Sequence, residues 1–498
     1  MVDTIFPLQL SKSLFMRGIV CRRALYFLLR NHESNKKHTA SRSYLAEISA
    51  EVELLARKLF PSGVTINVKN TESKEQIDET ADCIIRKVPA LFGGRFRSGE
   101  LCVRTDILKK AGDSWELFEV KSASSLKKAY FEDAAYQYYV LRGAGIAVEK
   151  VSVMHIDSTY VRDGSLSPES LFRIHDVTEA VRERQPLIAQ EIGEMRRILK
   201  GNPPEAVIGK KCTEPENCEF KDCCWHDVPM DSILDLRGEG VDKYRLYKMG
   251  IRSMADAPRR LLSDFQRIQA DAAVRRSNVV DRPKLKQFLQ SLWHPLCFLD
   301  FEIMQHPVPL FEGMRPYQQM PFQYSLHLVN RRDSGLIHYE YLADPGIDGR
   351  RIIAEKLLSE IPEDACIIVY NAMSELLILR ELAAAAPELA SKFNRMADNV
   401  RDLMTPFRER YLYKSKMMGS FSLKTVFRAL TGKNCYEKMA ITSGAMAMAA
   451  YFRLSRSDDP RGRESIVSNL RQYCKLDSLA MVMILDRIEQ LVNEGGSS

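Results

Sequence analysis

The sequence predicts an α/β protein built from two or three domains, and three observations lead to this class. The chain has 498 residues, which is too long for a single hydrophobic core. Residues 103–121 read as two apolar strands around a polar turn, with a helical segment after them. Residues 295–382 read as three strands in series followed by alternating helix and strand. We therefore expect an α/β core over residues 1–228, a helical middle segment over 229–292 and a second α/β domain over 293–498.

The composition is that of an ordinary globular protein. Hydrophobic residues make up 45% of the chain and charged residues 28%, which excludes a disordered protein. The net charge of +7 is a mild excess that permits a polyanionic partner without indicating one. No apolar run approaches the roughly 18 residues of a membrane span, and the N-terminus has no basic segment ahead of its apolar residues. We expect a cytoplasmic protein with no membrane partner.

The hairpin at residues 103–121 carries side chains suited to phosphodiester hydrolysis. Asp106 lies on the first strand, and Glu119 and Lys121 lie two residues apart on the second, so that they share a face. Two carboxylates offer hard oxygen ligands to Mg²⁺ or Mn²⁺, and an ammonium group can position or activate the attacking water. A glutamate two residues before a lysine also arises by chance on exposed strands. The preceding aspartate, and a following helix that returns Gln137 to the site, favour the functional interpretation.

This order of side chains, with Tyr138 directly after the glutamine, resembles the PD-(D/E)xK nuclease core in its RecB-like branch. The resemblance implies a restriction-endonuclease-like fold over residues 1–228, in which the carboxylates hold the metal, the lysine aligns the water and the glutamine helps to position the scissile phosphate. That branch also carries a histidine or glutamate on its first helix. Glu51 is the best match and Glu53 is the alternative, while a solvent-facing helix residue remains equally open.

Four of the eleven cysteines lie within thirteen residues, which indicates ligation rather than packing. They are Cys212, Cys218, Cys223 and Cys224. The first, second and last of them are separated by five residues each, a looser spacing than the paired cysteines of zinc knuckles. A 4Fe-4S cluster takes four cysteines, and Cys21, near the start of a helical segment far upstream, is a candidate for the fourth ligand. Such a bond would tie the first helix to the end of the N-terminal domain.

One distant cysteine followed by three after the core resembles the iron-sulfur RecB-like nucleases. The resemblance implies a 4Fe-4S cluster held by Cys21, Cys212, Cys218 and Cys224, with a structural role. Cys223 competes with Cys224 for the last position. We choose Cys224 because a Cys-Trp pair after Cys-x-Phe is similar to the family pattern.

The middle segment contains two glycines around one residue, Gly238 and Gly240, with predicted helices on either side. This arrangement resembles a helix-hairpin-helix element, in which glycine backbone amides hold a nucleic-acid phosphate without reading the sequence. An ordinary helical linker that uses its glycines as caps fits the pattern equally well. Both interpretations stay open.

The second α/β domain opens with an apolar strand that leads into Asp300 and Glu302, two residues apart and therefore on one face. An unpaired carboxylate is unfavourable to bury, so partners are expected downstream. Tyr473 and Asp477 lie four residues apart on a predicted helix, which also places them on one face. Glu375 follows a predicted strand at the start of the next helix. We expect these side chains to form a second metal site.

This set resembles the motifs of the DEDD exonucleases, which implies an RNase H-like fold over residues 293–498. In that family the carboxylates bind two metal ions, and the tyrosine orients or deprotonates the attacking water. The sequence departs from the family at Glu375, which stands where an aspartate is usual and sets its carboxylate one methylene further out. Asp402 is a substitute or accessory acid that the sequence offers.

Together the two halves resemble a family of bacterial proteins known only as a domain of unknown function. The leading hypothesis is a metal-dependent nuclease that processes nucleic-acid ends at two phosphodiesterase-like sites, with DNA favoured over RNA. Two alternatives stay open. One is a nucleic-acid-binding scaffold with a single active site or none and a degenerate exonuclease domain, and the other is an RNA exonuclease. No P-loop motif occurs, so a helicase or another repair or defence protein would act as a partner.

Overall fold

The structure is a computed structural model, and it describes residues 9–30, 39–66, 74–215, 217–332 and 334–494, without the side chains of residues 39–42. The chain divides into two compact units. The first comprises Met1–His226 and His306–Gln318, and the second comprises Asp227–Gln305 and Gln319–Ser498. Residues 229–292, expected as a separate middle segment, therefore fall in the second unit. A short segment from the second half of the chain falls in the first.

The first unit is a mixed α/β structure. Its strands are β1 (Leu10–Ser11), β2 (Gly63–Thr65), β3 (Ala90–Phe92), β4 (Arg95–Ser98), β5 (Leu101–Arg104), β6 (Ile107–Ala111), β7 (Ser114–Lys121), β8 (Val148–Ile156) and β9 (Phe172–Asp176). Its helices are α1 (Lys12–Val20), α2 (Arg22–Leu29), α3 (Thr39–Arg57), α4 (Lys74–Ile85), α5 (Lys128–Gly143), α6 (Pro168–Leu171), α7 (Thr178–Lys200) and α8 (Lys221–Cys224).

Six strands form the main sheet of this unit, in the order β2-β3-β6-β7-β8-β9. Strands β6 and β7 are the hairpin predicted at residues 103–121, and they pair antiparallel with Ile107 opposite Phe118. Strand β7 then pairs in parallel with β8, and α5 is the crossover between them. A second sheet has the order β1-β5-β4. The hairpin and the following helix are thus present, but the prediction that Asp106 lies on the first strand is wrong: it lies directly before β6, and residues 103 and 104 belong to β5 of the second sheet.

Alternate residues of β7 face two different hydrophobic cores. Leu117 packs in a cluster with Tyr136 of α5. Phe118 packs in another with Val52 of α3. Glu119 has the same strand parity as Leu117, so its side chain lies on the α5 side of the sheet. The functional side chains of the hairpin are therefore placed between the sheet and α5.

Residues 172–200 are rich in charged residues and, taken alone, predict one continuous helix, but the segment begins as strand β9. This strand pairs antiparallel with the edge of β8, and Phe172 is buried in the core below it. The alternation of Phe172 and Ile174 with polar residues fits a sheet edge, where pairing overrides helix propensity. The Asp176 carboxylate accepts a hydrogen bond from the Thr178 backbone N–H at 2.9 Å, and the helix begins there.

The second unit is also a mixed α/β structure. Its strands are β10 (Asn278–Val280), β11 (Leu296–Met304), β12 (Met320–Val329), β13 (Leu336–Leu342), β14 (Cys366–Val369), β15 (Val400–Asp402) and β16 (Leu412–Lys414). Its helices are α9 (Lys243–Lys248), α10 (Asp264–Arg275), α11 (Arg282–Gln290), α12 (Arg350–Glu360), α13 (Ala372–Ala385), α14 (Ala390–Asp398), α15 (Thr405–Arg408), α16 (Leu423–Thr431), α17 (Gly444–Leu454) and α18 (Pro460–Asn493).

Five strands form the main sheet of the second unit, in the order β13-β12-β11-β14-β15. The first three pair antiparallel, and β14 and β15 continue from β11 in parallel. The predicted order, three strands in series followed by alternating helix and strand, is confirmed. Helix α18 packs on β11 and β12, where the Leu470 carbonyl accepts a hydrogen bond from Gln323 Nε2 at 3.1 Å.

The segment before Gly238 was expected to be helical but forms only a single 3₁₀ turn, Ile233–Asp235. Gly238 and Gly240 both have positive φ, and a Cβ on either would come within 2.5 Å of a side chain of α10. The amide of Val241 donates to Gln266 Oε1 of that helix at 3.1 Å. The glycines therefore let this loop lie against α10. The phosphate-binding role expected for them stays a prediction.

Among the described residues, no helix combines the length and the apolar character needed to cross a lipid bilayer.

Candidate functional site

The first candidate site forms where β7 meets α5. Glu119 is only 1% exposed, because β7 lies in the interior of the sheet and α5 covers it. Its Oε1 accepts a hydrogen bond from Lys121 Nζ, and its Oε2 accepts one from Gln137 Nε2, both at 2.5 Å. Lys121 also donates to Asp133 Oδ2 at 2.5 Å. Three of the residues singled out in the sequence thus meet in one cluster.

Two members of this cluster were not expected from the sequence. Asp133 lies four residues before Gln137 on α5 and so shares its helix face, a spacing that could have identified it. Lys12 is the first residue of α1, and its Nζ lies 2.8 Å from Glu119 Oε1 and 3.2 Å from Asp133 Oδ1. It comes from more than a hundred residues upstream in a segment without a motif, so no local pattern signals it.

Asp106 lies beside this cluster, at the start of the neighbouring strand. Its Oδ2 accepts a hydrogen bond from the Val120 backbone N–H at 2.9 Å, which ties it to the middle of the Glu119-Val120-Lys121 step. Arg104 lies 3.4 Å from its Oδ1 and also donates to Glu53 Oε1 of α3 at 2.7 Å. Glu53 is therefore the glutamate of α3 that is linked to Asp106, through Arg104.

Glu51, the first choice for a metal ligand on α3, has a different neighbour. Its Oε2 lies 3.8 Å from Nε2 of His306, and both residues belong to the first unit. Residues two apart on a helix do not face the same way. The geometry favours the alternative, Glu53, as the neighbour of the cluster, and a ligand role for Glu51 stays a prediction.

The charged groups of this cluster shift the pKa values of Asp106 and Glu119 in opposite directions. Burial and the nearby Glu119 carboxylate raise the pKa of Asp106 to about 7. Burial acts on Glu119 in the same direction, but the ammonium groups of Lys12 and Lys121 outweigh it and hold the pKa of Glu119 below its usual range. Near neutral pH, Glu119 is ionised while Asp106 is close to half protonated. A divalent cation between them would favour the ionised form of Asp106.

The second candidate site forms where β11 meets α18. Asp300 and Glu302 lie on one face of β11, while Phe301 between them packs into the hydrophobic core on the other face. Tyr473 and Asp477 lie one turn apart on α18, and both are buried. The Asp477 charge raises the pKa of both strand carboxylates, so the three acids are within electrostatic reach of one another.

Lys424 and Tyr436 make hydrogen bonds to the two α18 residues of this second site, Tyr473 and Asp477. Lys424 Nζ on α16 donates to the Tyr473 hydroxyl at 2.7 Å and to the Thr442 carbonyl at 2.5 Å. The same ammonium lies 4.4 Å from the Tyr473 ring centroid. The Tyr436 hydroxyl donates to Asp477 Oδ1 at 2.5 Å. Neither Lys424 nor Tyr436 was predicted, and no spacing relates them to the motifs on α18.

Glu375 and Asp402, the two acids considered for the middle motif, have opposite surroundings. Asp402 is engaged on both oxygens: Oδ1 accepts the Asn371 and Met404 amides, and Oδ2 pairs with Arg408 at 3.0 Å. Glu375 lies in the first turn of α13 at 8% exposure, and its Oε2 has no hydrogen-bond partner within the described part of the chain. Asp402 therefore stabilises the loop after β15, and Glu375 is the acid available to the site.

Burial raises the pKa of every carboxyl group in the second site. The pKa of Glu375 rises to about 8 through burial, and burial and the repulsion of Asp477 raise the pKa values of Asp300 and Glu302 well above their usual range. Lys424 counteracts part of this rise at Glu302. Several buried carboxylates cannot all ionise together without a cation to offset them. Oxygen donors of this kind are the ligands that Mg²⁺ and Mn²⁺ prefer.

The predicted cluster cysteines come together in the first unit. Cys21 lies at the junction of α1 and α2, and Cys218 and Cys224 lie on either side of the start of α8. With Cys212 they line one small cavity of about 20 Å³, whose lining includes Cys224 but not Cys223. Cys223 packs with Cys224 against the same small hydrophobic cluster, and the choice of Cys224 as the last ligand stays a prediction.

The spacing of these thiols bears on which metal centre fits them. Thiolates around one zinc ion lie about 3.8 Å apart, since each Zn–S bond is about 2.3 Å long. All four cysteines lie in the described ranges, and no three of their sulfurs lie within 4.8 Å of one another. Arg17 Nη2 also donates to Cys218 Sγ at 2.9 Å. The four thiols are therefore not grouped at the spacing of ligands around one zinc ion, and an iron-sulfur cluster stays a prediction.

The fold and the two acidic clusters define a mixed α/β protein with two candidate metal sites. Residues 297–422 match the family model described as a domain of unknown function, DUF2779. No curated protein matches the chain. The match covers about a quarter of the chain and includes Asp300, Glu302 and Glu375 but not the motif on α18. It agrees with the expectation of a domain of unknown function and leaves the nuclease architecture as a prediction.

Proposed function

We propose that the protein is a divalent-metal-dependent nuclease that processes nucleic-acid ends, DNA in preference to RNA, with one phosphodiesterase site in each unit. The observation that carries this proposal is the cluster of the buried Glu302, Glu375 and Asp477 with the partly buried Asp300. These acids come from a strand and two helices and have raised pKa values, a state that a bound divalent cation would relieve. A protein gains little from such a cluster unless a cation or a substrate uses it.

The strand order of the second unit supports the comparison with RNase H-like exonucleases. Three antiparallel strands are followed by two parallel ones, and β11 lies at the centre. The central strand presents Asp300 and Glu302, the last helix presents Tyr473 and Asp477, and the helix after β14 presents Glu375. This is the distribution of acids over elements that the DEDD resemblance implies. The sequence departs from that family at Glu375, where an aspartate is usual. One carboxylate oxygen of Glu375 has no hydrogen-bond partner in the described structure and is therefore available to a metal ion.

In the first site, Asp106 and Glu119, with Glu51 as a further predicted ligand, would hold Mg²⁺ or Mn²⁺. Such an ion activates a water molecule and neutralises charge that develops on the phosphate oxygens. Lys121 would align the attacking water, since its ammonium already lies against Glu119. Gln137 would help to position the scissile phosphate through Nε2, the donor of its amide, which in this structure donates to Glu119 Oε2.

In the second site, the four carboxylates would hold the metal and Tyr473 would orient the attacking water. The Tyr473 hydroxyl is fixed by the hydrogen bond from Lys424, so it cannot rotate freely away from the carboxylates. Tyr436 fixes one oxygen of Asp477 in the same way. Pre-positioned donors of this kind act without reorganisation during the reaction.

A labelled-strand digestion with Mn²⁺ tests both sites in the full-length protein. Single- and double-stranded DNA and RNA, labelled at the 5′ or 3′ end, would be incubated with wild type, Lys121→Ala and Asp300→Ala. We expect each substitution to remove a different set of products by at least a hundredfold. Lys128→Ala and Asp458→Ala, at exposed positions in the same units, serve as controls and should cleave like wild type. If neither site variant alters cleavage, the catalytic assignment is wrong.

We further propose that the four cysteines hold a 4Fe-4S cluster with a structural role. Its thiolates would tie Cys21, between the first two helices, to a segment that begins at Cys212. Anaerobically purified protein should be brown, with broad absorption near ~400 nm from thiolate-ligated iron. Cys21→Ser and Cys224→Ser should lose the colour, and the matched variant Cys223→Ser should retain it. Colourless wild-type protein with stoichiometric zinc would rule out the cluster.

A further inference from the structure

The second candidate site contains a thiol as well as carboxylates. One ligand atom each from Asp300, Glu302 and Cys474 lies within 4.8 Å of the other two. Throughout the described ranges, no other three histidine, cysteine, aspartate or glutamate side chains are grouped this closely. The tightest cluster of potential ligands in the described structure is therefore a mixed oxygen and sulfur set.

The position of Cys474 makes this sulfur part of the site. It follows Tyr473 directly on α18 and lies three residues before Asp477, so it faces β11 on the same side of the helix. It is fully buried. Its Sγ lies 3.6 Å from Asp300 Oδ2 and 3.8 Å from the Asp300 carbonyl oxygen, contacts that a weak thiol donor makes at long range. The thiol is held at the acids by packing rather than by strong hydrogen bonds.

A separate observation indicates that this cluster is completed by a ligand. The Oε2 atom of Glu375 is buried without a hydrogen-bond partner in the part of the chain that the structure describes. Burial raises the pKa of Asp300 and of Glu302, and the Glu375 charge raises both further, so this carboxylate lies within electrostatic range of the cluster. A buried carboxylate oxygen left without a donor is unfavourable unless a cation occupies the space beside it.

We propose that Cys474 is a metal ligand of the second site, and that it makes this site prefer a thiophilic divalent ion such as Co²⁺ or Zn²⁺ to Mg²⁺. Carboxylates and water suit Mg²⁺, whereas a thiolate stabilises the softer transition ions. The sulfur forms its bond to the metal as the thiol proton leaves to solvent, so that Asp300, Glu302 and Cys474 supply three anionic donors. This inference rests on the proposed metal-dependent function and names the class of cation that its second site takes.

Cobalt binding tests the proposal without any measurement of activity. Full-length wild type would be titrated with Co²⁺ under anaerobic conditions, and the spectrum recorded before addition would be subtracted, which removes the absorption of any iron-sulfur cluster. We expect a near-ultraviolet charge-transfer band from a sulfur–cobalt bond that is absent from Cys474→Ser. The cysteines of the first unit are identical in both proteins, so the difference between the two titrations reports Cys474 alone.

Two further variants make the outcome unambiguous. Asp300→Asn keeps the thiol but removes a co-ligand, and we expect its affinity for Co²⁺ at this band to fall at least tenfold. Cys435→Ser removes an exposed thiol of the same unit and should leave the band unchanged. Equal bands in wild type and Cys474→Ser, with both proteins folded by circular dichroism, would overturn the proposal. A Cys474-dependent band together with an unchanged set of cleavage products from Asp300→Ala would leave the metal site standing and overturn the nuclease assignment of the second site.

Discussion

At the scale of single residues, the two candidate sites differ in how the negative charge of their carboxylates is compensated. In the first site Glu119 has two lysines at hydrogen-bond distance, so its charge is stabilised within the protein itself. In the second site Lys424 donates to a hydroxyl and a carbonyl, and its single positive charge acts on three acids, Asp300, Glu302 and Asp477. The second site therefore has the greater need of an external cation.

Glu375 provides a pH-dependent test of that need. Its pKa is raised by burial from about 4.5 to about 8, so its ionisation opposes folding. The destabilisation is absent below about pH 4.5, grows as the pH rises, and is complete above about pH 8. We expect Glu375→Gln, in EDTA, to raise the thermal midpoint of unfolding strongly at pH 8.5 and little at pH 5. The difference should correspond to a few kcal/mol.

The control for this measurement is Glu464→Gln, which changes an exposed glutamate on α18. It should leave the midpoint unchanged at both values of pH. A gain for Glu375→Gln that is the same at pH 5 and at pH 8.5 would show that this carboxylate is not the source of the pH dependence.

The sequence identified side chains that share a strand or a helix more readily than those that meet across the fold. Glu119 and Lys121 were predictable because strand parity places them on one face. Asp133 was predictable in principle from its spacing to Gln137. Lys12 was not, because it reaches Glu119 only through the packing of α1 against the core, and no local pattern encodes that contact. The choice between Glu51 and Glu53 also depended on Arg104, a residue of a different element.

At the scale of elements, local sequence propensity gave the wrong secondary structure where an element is stabilised by contact with another element distant in the sequence. Strand β9 exists because the edge of β8 is free to pair with it, so its residues read as helix until the sheet is known. The segments on either side of Gly238 and Gly240 were predicted as helices, but the segment before Gly238 forms only a 3₁₀ turn, and the conformation of the loop follows from contact with α10. The strands β11 to β14 were predicted from apolar runs that are continuous in β14 and alternate with polar residues in β12 and β13, two patterns typical of strands.

Alanine at Gly238 tests whether this loop serves packing or phosphate binding. A Cβ there would lie 2.4 Å from Phe265 Cδ1, at φ +84°. Gly250 is the matched control, because its φ is +88° but a Cβ would meet nothing within 4 Å. We expect Gly250→Ala to destabilise the protein by roughly 1 kcal/mol through backbone strain, and Gly238→Ala by roughly 3 kcal/mol through strain and steric overlap.

The measurement is thermal unfolding of the full-length variants, followed by titration with labelled DNA. If Gly238→Ala keeps the stability of the control variant but binds DNA much more weakly, the loop has a phosphate-binding role. A loss of stability with unchanged DNA affinity would assign the glycines to packing alone.

At the scale of the whole molecule, the boundary between the units is not a single point in the sequence. The segment His306–Gln318 follows β11 in the chain but belongs to the first unit. Val308 is buried in the core formed by α3 and the main sheet, and the Tyr317 hydroxyl donates to the Ser122 carbonyl. Arg162 donates to the Leu310 carbonyl at 2.7 Å. A division of the sequence into consecutive domains could not include this segment.

A fragment ending at residue 228 should therefore be incomplete. Without Val308 and Tyr317, apolar surface of α3 and the sheet would be uncovered, and we expect a lower thermal midpoint and greater binding of a hydrophobic dye than for the repaired fragment. The repaired fragment carries residues 306–318 after a flexible linker. The repaired fragment with Val308→Asp is the control and should behave like the unrepaired one. Equal stability of all three would mean that the segment contributes nothing to the first unit.

The same segment sets an order of events during synthesis. The first unit reaches its boundary at His226, but the residues that complete its core emerge from the ribosome roughly 90 residues later, about 5 to 20 s at usual translation rates. During that interval the nascent chain holds an open core while β11 is already being made. A codon change that slows translation between these positions would lengthen the exposure of that core to chaperones and proteases, although the encoded protein is unchanged.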